Sequence, residues 1–231
     1  MRNAMTQEEQ EAMNKALLQA TLNGDARNIE DCLNAGAQVG AMDRDGCQPL
    51  HNAAWNGNIV AVLLLIRKGA KVNAPGKSGM QPLHVAAQRG HGKAVELLID
   101  RGAEVDAADG KGRTPLHCAA GNGLVVVADF LLQKGAQLDR ADGDGASPLH
   151  RAAENGHEVM VGFLLEKGAD PTVVDNEGKQ PIDLAAHLKI KALLEAAEEE
   201  RDPAAEMRTA LAALRGRLRK LGALRPKGPT L

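Results

Sequence analysis

The chain has no tyrosine, only two phenylalanines (Phe130 and Phe163) and a single tryptophan, Trp55, in 231 residues. Single-stranded nucleic acid is held largely by stacking bases on aromatic faces, and so thin a supply argues against such a platform. Cysteine is scarce as well. Cys32, Cys47 and Cys118 are odd in number and share no metal-ligand spacing, which predicts reduced thiols in the cytoplasm or nucleus rather than a disulfide framework. Long apolar runs are missing: stretches such as 59–66 fall far short of the roughly 20 residues that cross a bilayer. Residues 1–10 are polar, with no apolar centre or small-residue cleavage site, so no secretory leader is expected. Charge of one sign is also lacking overall, the formal balance being −2. It is unevenly divided, with 20 basic and 28 acidic side chains in 1–200 against eight and two in 201–231. That asymmetry marks the end of the chain as a segment with its own task.

Against these absences stands a strict repetition. Pro49, Pro82, Pro115, Pro148 and Pro181 follow one another at 33 residues. Each sits in a recurring motif: Gln48-Pro-Leu-His51, Gln81-Pro-Leu-His84, Thr114-Pro-Leu-His117, Ser147-Pro-Leu-His150 and a worn Gln180-Pro-Ile-Asp183. Glycines recur three before, eight after and twenty after the prolines, marking three chain reversals per unit. Between them the apolar spacing is helical, as in Leu83, Ala86 and Ala87, then Val95, Leu98 and Ile99. Asp109-Gly-Lys-Gly112 and Asp142-Gly-Asp-Gly145 suit type I turns. A period of this length means a stack of small units, none able to bury its apolar face alone.

With turn glycine, Thr114-Pro-Leu-His-Cys-Ala-Ala120 and Leu131-Leu-Gln-Lys-Gly-Ala136 in register, the chain resembles the ankyrin-repeat family over roughly residues 10 to 200. The resemblance implies an all-α repeat solenoid of about six units, each a β-turn plus two antiparallel helices, with an extra C-terminal helix. The expected organisation is a polar N-terminal arm (1–9) and an array (10–200), with units near 10–42, 43–75, 76–108, 109–141, 142–174 and 175–200. A basic amphipathic helix and tail (201–231) follow. Within each unit, Thr114 is a good N-cap and Pro115 suits the first helical position, whereas Gln81 is a poor cap. Gln81→Thr is therefore expected to stabilise by about 0.5–1 kcal/mol.

Chemistry is hard to find. His51, His84, His117 and His150 form a column, but one unit apart they are too distant to share a metal bound at about 2.0–2.1 Å. The family resemblance implies that they bond across the turns between units. Gly76-Lys77-Ser78 lacks the upstream glycine of a phosphate loop, Lys71 standing there, and His157-Glu158 has Val161 where a zinc protease needs its second histidine. Cys118 has no orienting third group and fits a small core position. No catalytic residue, metal, cofactor or small-molecule substrate is expected. The resemblance instead implies a monomeric array that binds another protein through its turn tips and the ends of its first helices, on a concave side. On this chain those positions are Arg44, Asp45, Cys47, Trp55, Asn56, Lys77, Ser78, Met80, Gln88 and Arg89. Further along the face they continue with Lys111, Arg113, Asn122, Asp144, Glu154, Asn155, Asn176, Glu177 and Lys179. Basic groups lie toward the first half and acidic ones toward the second. The Trp55 column holds Gln88, Gly121, Glu154 and His187 in other units, so no packing rule fixes it. Trp55, Met80, Arg89 and Arg113 are the expected anchors.

In the tail, Asp202-Pro203 reads as a helix start, and Met207, Leu211, Leu214, Leu218 and Leu221 as a seam about two heptads long. Such a helix can cap the array, pair with a partner helix or lie on an anionic membrane. The basic run 215–220 is the one nucleic-acid feature, and no base-reading element accompanies it.

Overall fold

The computed structural model describes residues 6–76, 78–201 and position 214. Lys77 and the expected helix after residue 201, save Leu214, lie outside the described residues. Among the described residues there are twelve helices and no strand. In chain order they are α1 (Gln7–Asn23), α2 (Ala26–Asn34), α3 (Pro49–Trp55), α4 (Ile59–Arg67), α5 (Pro82–Arg89) and α6 (Gly92–Asp100). The second half holds α7 (Pro115–Ala120), α8 (Val125–Gln133), α9 (Pro148–Glu154), α10 (Glu158–Glu166), α11 (Pro181–Leu184) and α12 (Leu188–Arg201). Odd-numbered helices pack on one another in one layer and even-numbered helices in a second, giving an all-α repeat solenoid.

Each motif residue has a mechanical task. The proline occupies the first turn, where no N–H is missed. The motif leucines Leu50, Leu83, Leu116 and Leu149 and the alanine pairs behind them are fully or almost fully buried, in one cluster with Leu65, Leu98, Leu131 and Leu164 of the second layer. One apolar core therefore runs through every described unit. Phe130 and Phe163 are half-buried at its edge, each ring covered by a lysine ammonium, Lys134 at 5.2 Å and Lys167 at 5.1 Å.

The histidine column joins neighbouring units. Its Nδ1 accepts the backbone N–H of the N-cap residue, at 3.1 Å from Gln48 and 3.2 Å from Gln81. An imidazole that accepts at Nδ1 carries its proton on Nε2. That Nε2–H donates to a carbonyl of the next unit: His51 to Met80, His84 to Arg113, His117 to Ala146 and His150 to Lys179, at 3.0–3.1 Å. Burial holds His51, His84 and His117 below the ordinary imidazole pKa, in keeping with the neutral form this geometry needs.

Three further links tie the units. Successive turn tips hydrogen-bond through their backbones, Gly110 N–H to Ser78 O and Gly143 N–H to Lys111 O at 2.8 Å, and Asn176 N–H to Asp144 O at 2.9 Å. The residue nine after the proline reaches back to the preceding unit: His91 Nε2 to Trp55 O at 2.8 Å and His157 Nε2 to Gly121 O at 3.0 Å. In the long loops, Asn73, Asp106 and Asp139 accept backbone N–H groups of Glu104, Gln137 and Asp170.

The ends depart from the period. Helix α1 begins at Gln7, inside the stretch expected as an arm, because Thr6 and Glu9 form a reciprocal capping box. At the other end α11 has four residues, and α12 starts seven positions after Pro181 where other second helices start ten after theirs. The three-residue contraction brings the His187 ring against Gly156, where longer units place His91 or His157 against Gly57 or Gly123.

Candidate functional site

One face is built from turn tips and first helices, and its side chains fall in columns counted from the motif proline. Four before it stand Asp45, Ser78, Lys111, Asp144 and Glu177; two before it, Cys47, Met80, Arg113, Ala146 and Lys179. Three after it come Asn52, Val85, Cys118 and Arg151, and six after it Trp55, Gln88, Gly121 and Glu154. Together they line a groove with distinct sections.

The first section is an apolar pocket of about 290 Å³ walled by Leu22, Cys47, Asn52, Trp55, Met80, Val85 and Gln88, with Asp45 and Ser78 at its rim. Trp55 is 45 % exposed, and the Arg89 guanidinium lies over its ring at 4.3 Å. A cation on an aromatic face contributes about 0.5–1 kcal/mol when exposed and more once desolvated. Asn52 is buried in the wall, and its Nδ2 has no hydrogen-bond partner among the described residues.

The second section, about 250 Å³, is polar and shares the Gln88 wall with the first. Lys111, Arg113, His117, Cys118, Gly121, Asn122, Asp144, Arg151, Glu154 and Asn155 line the rest. Both of its guanidinium groups are anchored on buried carboxylates. Arg113 grips Asp109 Oδ2 through Nε at 3.0 Å and Nη2 at 2.8 Å. Arg151 meets Asp142 and Asp144 at 2.6 Å and Glu154 at 3.1 Å. Burial would raise the Asp109 pKa, but Arg113 and the N–H groups of Arg113 and Lys111 hold it below the usual carboxylate value. Burial pulls the Arg151 pKa down, and its three carboxylates outweigh that and raise it. No ion pair forms on Arg89 or Lys111 among the described residues.

The expected residues thus separate. Asp45, Trp55, Met80 and Gln88 meet at the apolar pocket, with Arg89 on its rim. Lys111, Arg113, Asn122, Asp144, Glu154 and Asn155 meet at the polar one. Several have structural bonds: Asn56 Nδ2 donates to Leu22 O at 2.7 Å, and Asn122 and Asn155 bond the carbonyls of Cys118 and Arg151 in their own first helices. Arg44 is exposed on its tip. Lys77 lies outside the described residues. Asn176, Glu177 and Lys179 line a third, polar section with Arg151.

The column three after the proline, with Asn52, Val85 and Arg151, was missed. Its signal was available, since four unlike residues stand between an invariant histidine and an invariant alanine. The same argument singled out Trp55.

The cysteines offer little nucleophile. Burial pushes the Cys118 thiol up to about 12, and burial with nearby Asp43 and Asp45 raises Cys47. Among the described residues, no cluster of three histidine, cysteine or acidic side chains could hold a metal ion. No helix described is long and apolar enough to cross a membrane.

A family model described as ankyrin repeats in three copies matches residues 17–109, 102–175 and 139–207. A search of curated proteins found no match.

Proposed function

The chain belongs to the ankyrin-repeat family, whose repeats are generally protein–protein interaction modules, and we propose that it is a non-catalytic adaptor or scaffold working as a monomer in the cytoplasm or nucleus. Its partner protein lies along the groove of turn tips and first helices, on the side that family resemblance makes concave. One observation carries the reading: Trp55 and Met80 wall an open apolar pocket, in columns that the fold leaves free. Exposed apolar surface of this kind, rimmed by charge, is the usual mark of a docking site. Tryptophan and arginine are also the types most enriched among residues that dominate binding.

Affinity capture from cell extract, with wild type and Trp55→Ala side by side, tests it. Truncation of Trp55 or Arg89 is expected to weaken the captured complex by about 2 kcal/mol, near 30-fold. Folded variants that hold the same partner at full strength would sink the assignment of this face.

A second reading rests on the charge split of the sequence. The basic segment 201–231 would target the protein to a membrane, nucleic acid or larger assembly while the array holds its client. Removing residues 201–231 separates the two, because an adaptor keeps its partner and a targeting factor loses its location.

A further inference from the structure

We infer that the groove reads an extended, acidic segment of the partner in which an apolar side chain and a carboxylate stand about three residues apart. The inference rests on the docking face proposed above and specifies what that face selects.

Two features of neighbouring sections lead to it. Gln88 is the one residue that lines both the apolar pocket and the polar one. On the far side of Gln88 the column that carries Trp55, Gln88 and Glu154 is interrupted by Gly121. Backbone geometry does not require glycine there, since Gly121 has φ −66 and ψ −11, the ordinary right-handed helical region. A missing side chain at this point leaves a notch in the section that Lys111 and Arg113 line from one unit and Arg151 and Asn155 from the next, the side chains of the latter two standing nearest to where a Cβ would be.

Charge then decides what fits. Further along, the exposed acids Asp144 and Glu154 share Arg151 with buried Asp142, three carboxylates on one guanidinium, so that side of the polar section is acidic. Lys111 and Arg89 carry no ion pair among the described residues, and Arg113 has only Nε and Nη2 committed to Asp109. The charge left over on the near side of the notch is therefore positive, on Lys111 and the uncommitted edge of Arg113, and the group complementary to it is a carboxylate. The chain's own terminal segment, with eight basic and two acidic residues, is the wrong sign to occupy it.

Spacing follows from geometry. Stacked first helices stand roughly 8–10 Å apart, and an extended chain advances about 3.3–3.6 Å per residue. A segment that seats an apolar side chain in the first pocket therefore brings the third residue along to the notch.

The test is selection of phage-displayed random 12-residue peptides on the full chain and on three folded variants, Trp55→Ala, Lys111→Glu and Gly121→Gln. Wild type is expected to enrich peptides with one apolar residue and an Asp or Glu about three positions away. Lys111→Glu should exchange the acidic preference for Lys or Arg and weaken the wild-type peptides at least 10-fold. Gly121→Gln, which refills the notch as Gln88 fills its own column, should lose the acidic preference without losing the apolar one. Matching urea midpoints establish that each variant is folded. Peptides that need Trp55 but show no acidic position, or ignore Lys111→Glu, overturn this inference and leave the docking face standing. No enrichment, or peptides indifferent to all three substitutions, overturns both.

Discussion

Replacing Gln81 by threonine should stabilise the protein, and the structure explains why by comparing two N-caps of one shape. Gln81 has φ −91 and ψ 164, and Thr114 has φ −91 and ψ 167, so the backbone already accepts the change. At Thr114 the hydroxyl oxygen stands 2.9 Å from His117 Nδ1 and 3.5 Å from the His117 backbone nitrogen. A hydroxyl can donate to the unprotonated Nδ1 while accepting the N–H, two roles that an amide oxygen cannot combine. Gln81 makes no side-chain cap, and its Oε1 is buried without a partner among the described residues. A good cap contributes about 1 kcal/mol, and relieving a buried unsatisfied oxygen about 1–3 kcal/mol. Loss of a partly buried methylene offsets up to about 0.8 kcal/mol. The net is about 1–3 kcal/mol, above the 0.5–1 kcal/mol expected from capping alone. With an m-value near 3 kcal/mol/M, the urea midpoint should rise by about 0.4–1 M at unchanged slope. An unchanged or lower midpoint would refute the reasoning. A rise matched by Gln81→Ala would show that capping plays no part.

His117→Ala removes the acceptor for Thr114 N–H and the donor for Ala146 O at a buried site, so it should cost roughly 3 kcal/mol or more in urea unfolding; a loss under about 1 kcal/mol would show that the column is ornamental. Stability should also fall in mild acid. His51, His84 and His117 have folded pKa values below the ordinary 6.5, so between the folded and unfolded values the unfolded chain binds more protons. The contribution is complete above pH 6.5 and is lost as pH drops through that value, so the urea midpoint at pH 5.5 should lie below that at pH 7.5. A midpoint that climbs on acidification would contradict the neutral column. Finally, Gly112→Ala should destabilise by about 3 kcal/mol and Gly135→Ala by about 1–2 kcal/mol. Both have positive φ, but a Cβ on Gly112 would stand 2.5 Å from Gly143 N, whereas one on Gly135 meets nothing within 4 Å. Equal losses would mean that close approach of the turn tips contributes nothing.

Most of the fold was legible because its determinants are local and repeated. Proline at the first helical position, glycine at each reversal and an apolar pair per helix name the elements directly. The ends were less legible. Thr6 and Glu9 form a capping box that polar composition alone made look like an arm, and the three-residue contraction before α12 shows in the sequence only as a faded motif. At the site, Trp55 was visible as an odd residue in a loose column. What Arg113 and Arg151 do was not, because their partners Asp109 and Asp142 are ordinary turn residues until the fold buries them under the guanidinium groups. Nor could spacing reveal that Asn56, Asn122 and Asn155 are engaged by backbone carbonyls.

The division between fixed and free columns has a mechanical basis. Most of the bonds found here between units have main chain on at least one side: histidine to carbonyl, tip to tip, the reach-back to the preceding unit, and the loop carboxylates and amides. Val85 and Cys118, three after the proline, belong to the buried core, but the side chains six after it and the half-buried Met80 and Arg113 two before it do not, so their chemistry can vary without loss of fold. They are nevertheless held in place. Each motif histidine grips the carbonyl of the residue two before the next proline, and all four of those residues, Met80, Arg113, Ala146 and Lys179, line the groove. The buried ladder thus sets the register of the exposed one. A cavity formed by deleting His51 should loosen Met80 more than it loosens Trp55, which sits on the same helix as the deleted ring but owes its backbone position to α3 and to His91. Methyl relaxation of Met80 in His51→Ala against the Trp55 indole signal measures that difference, and equal broadening of both would mean that the ladder and the groove are mechanically separate.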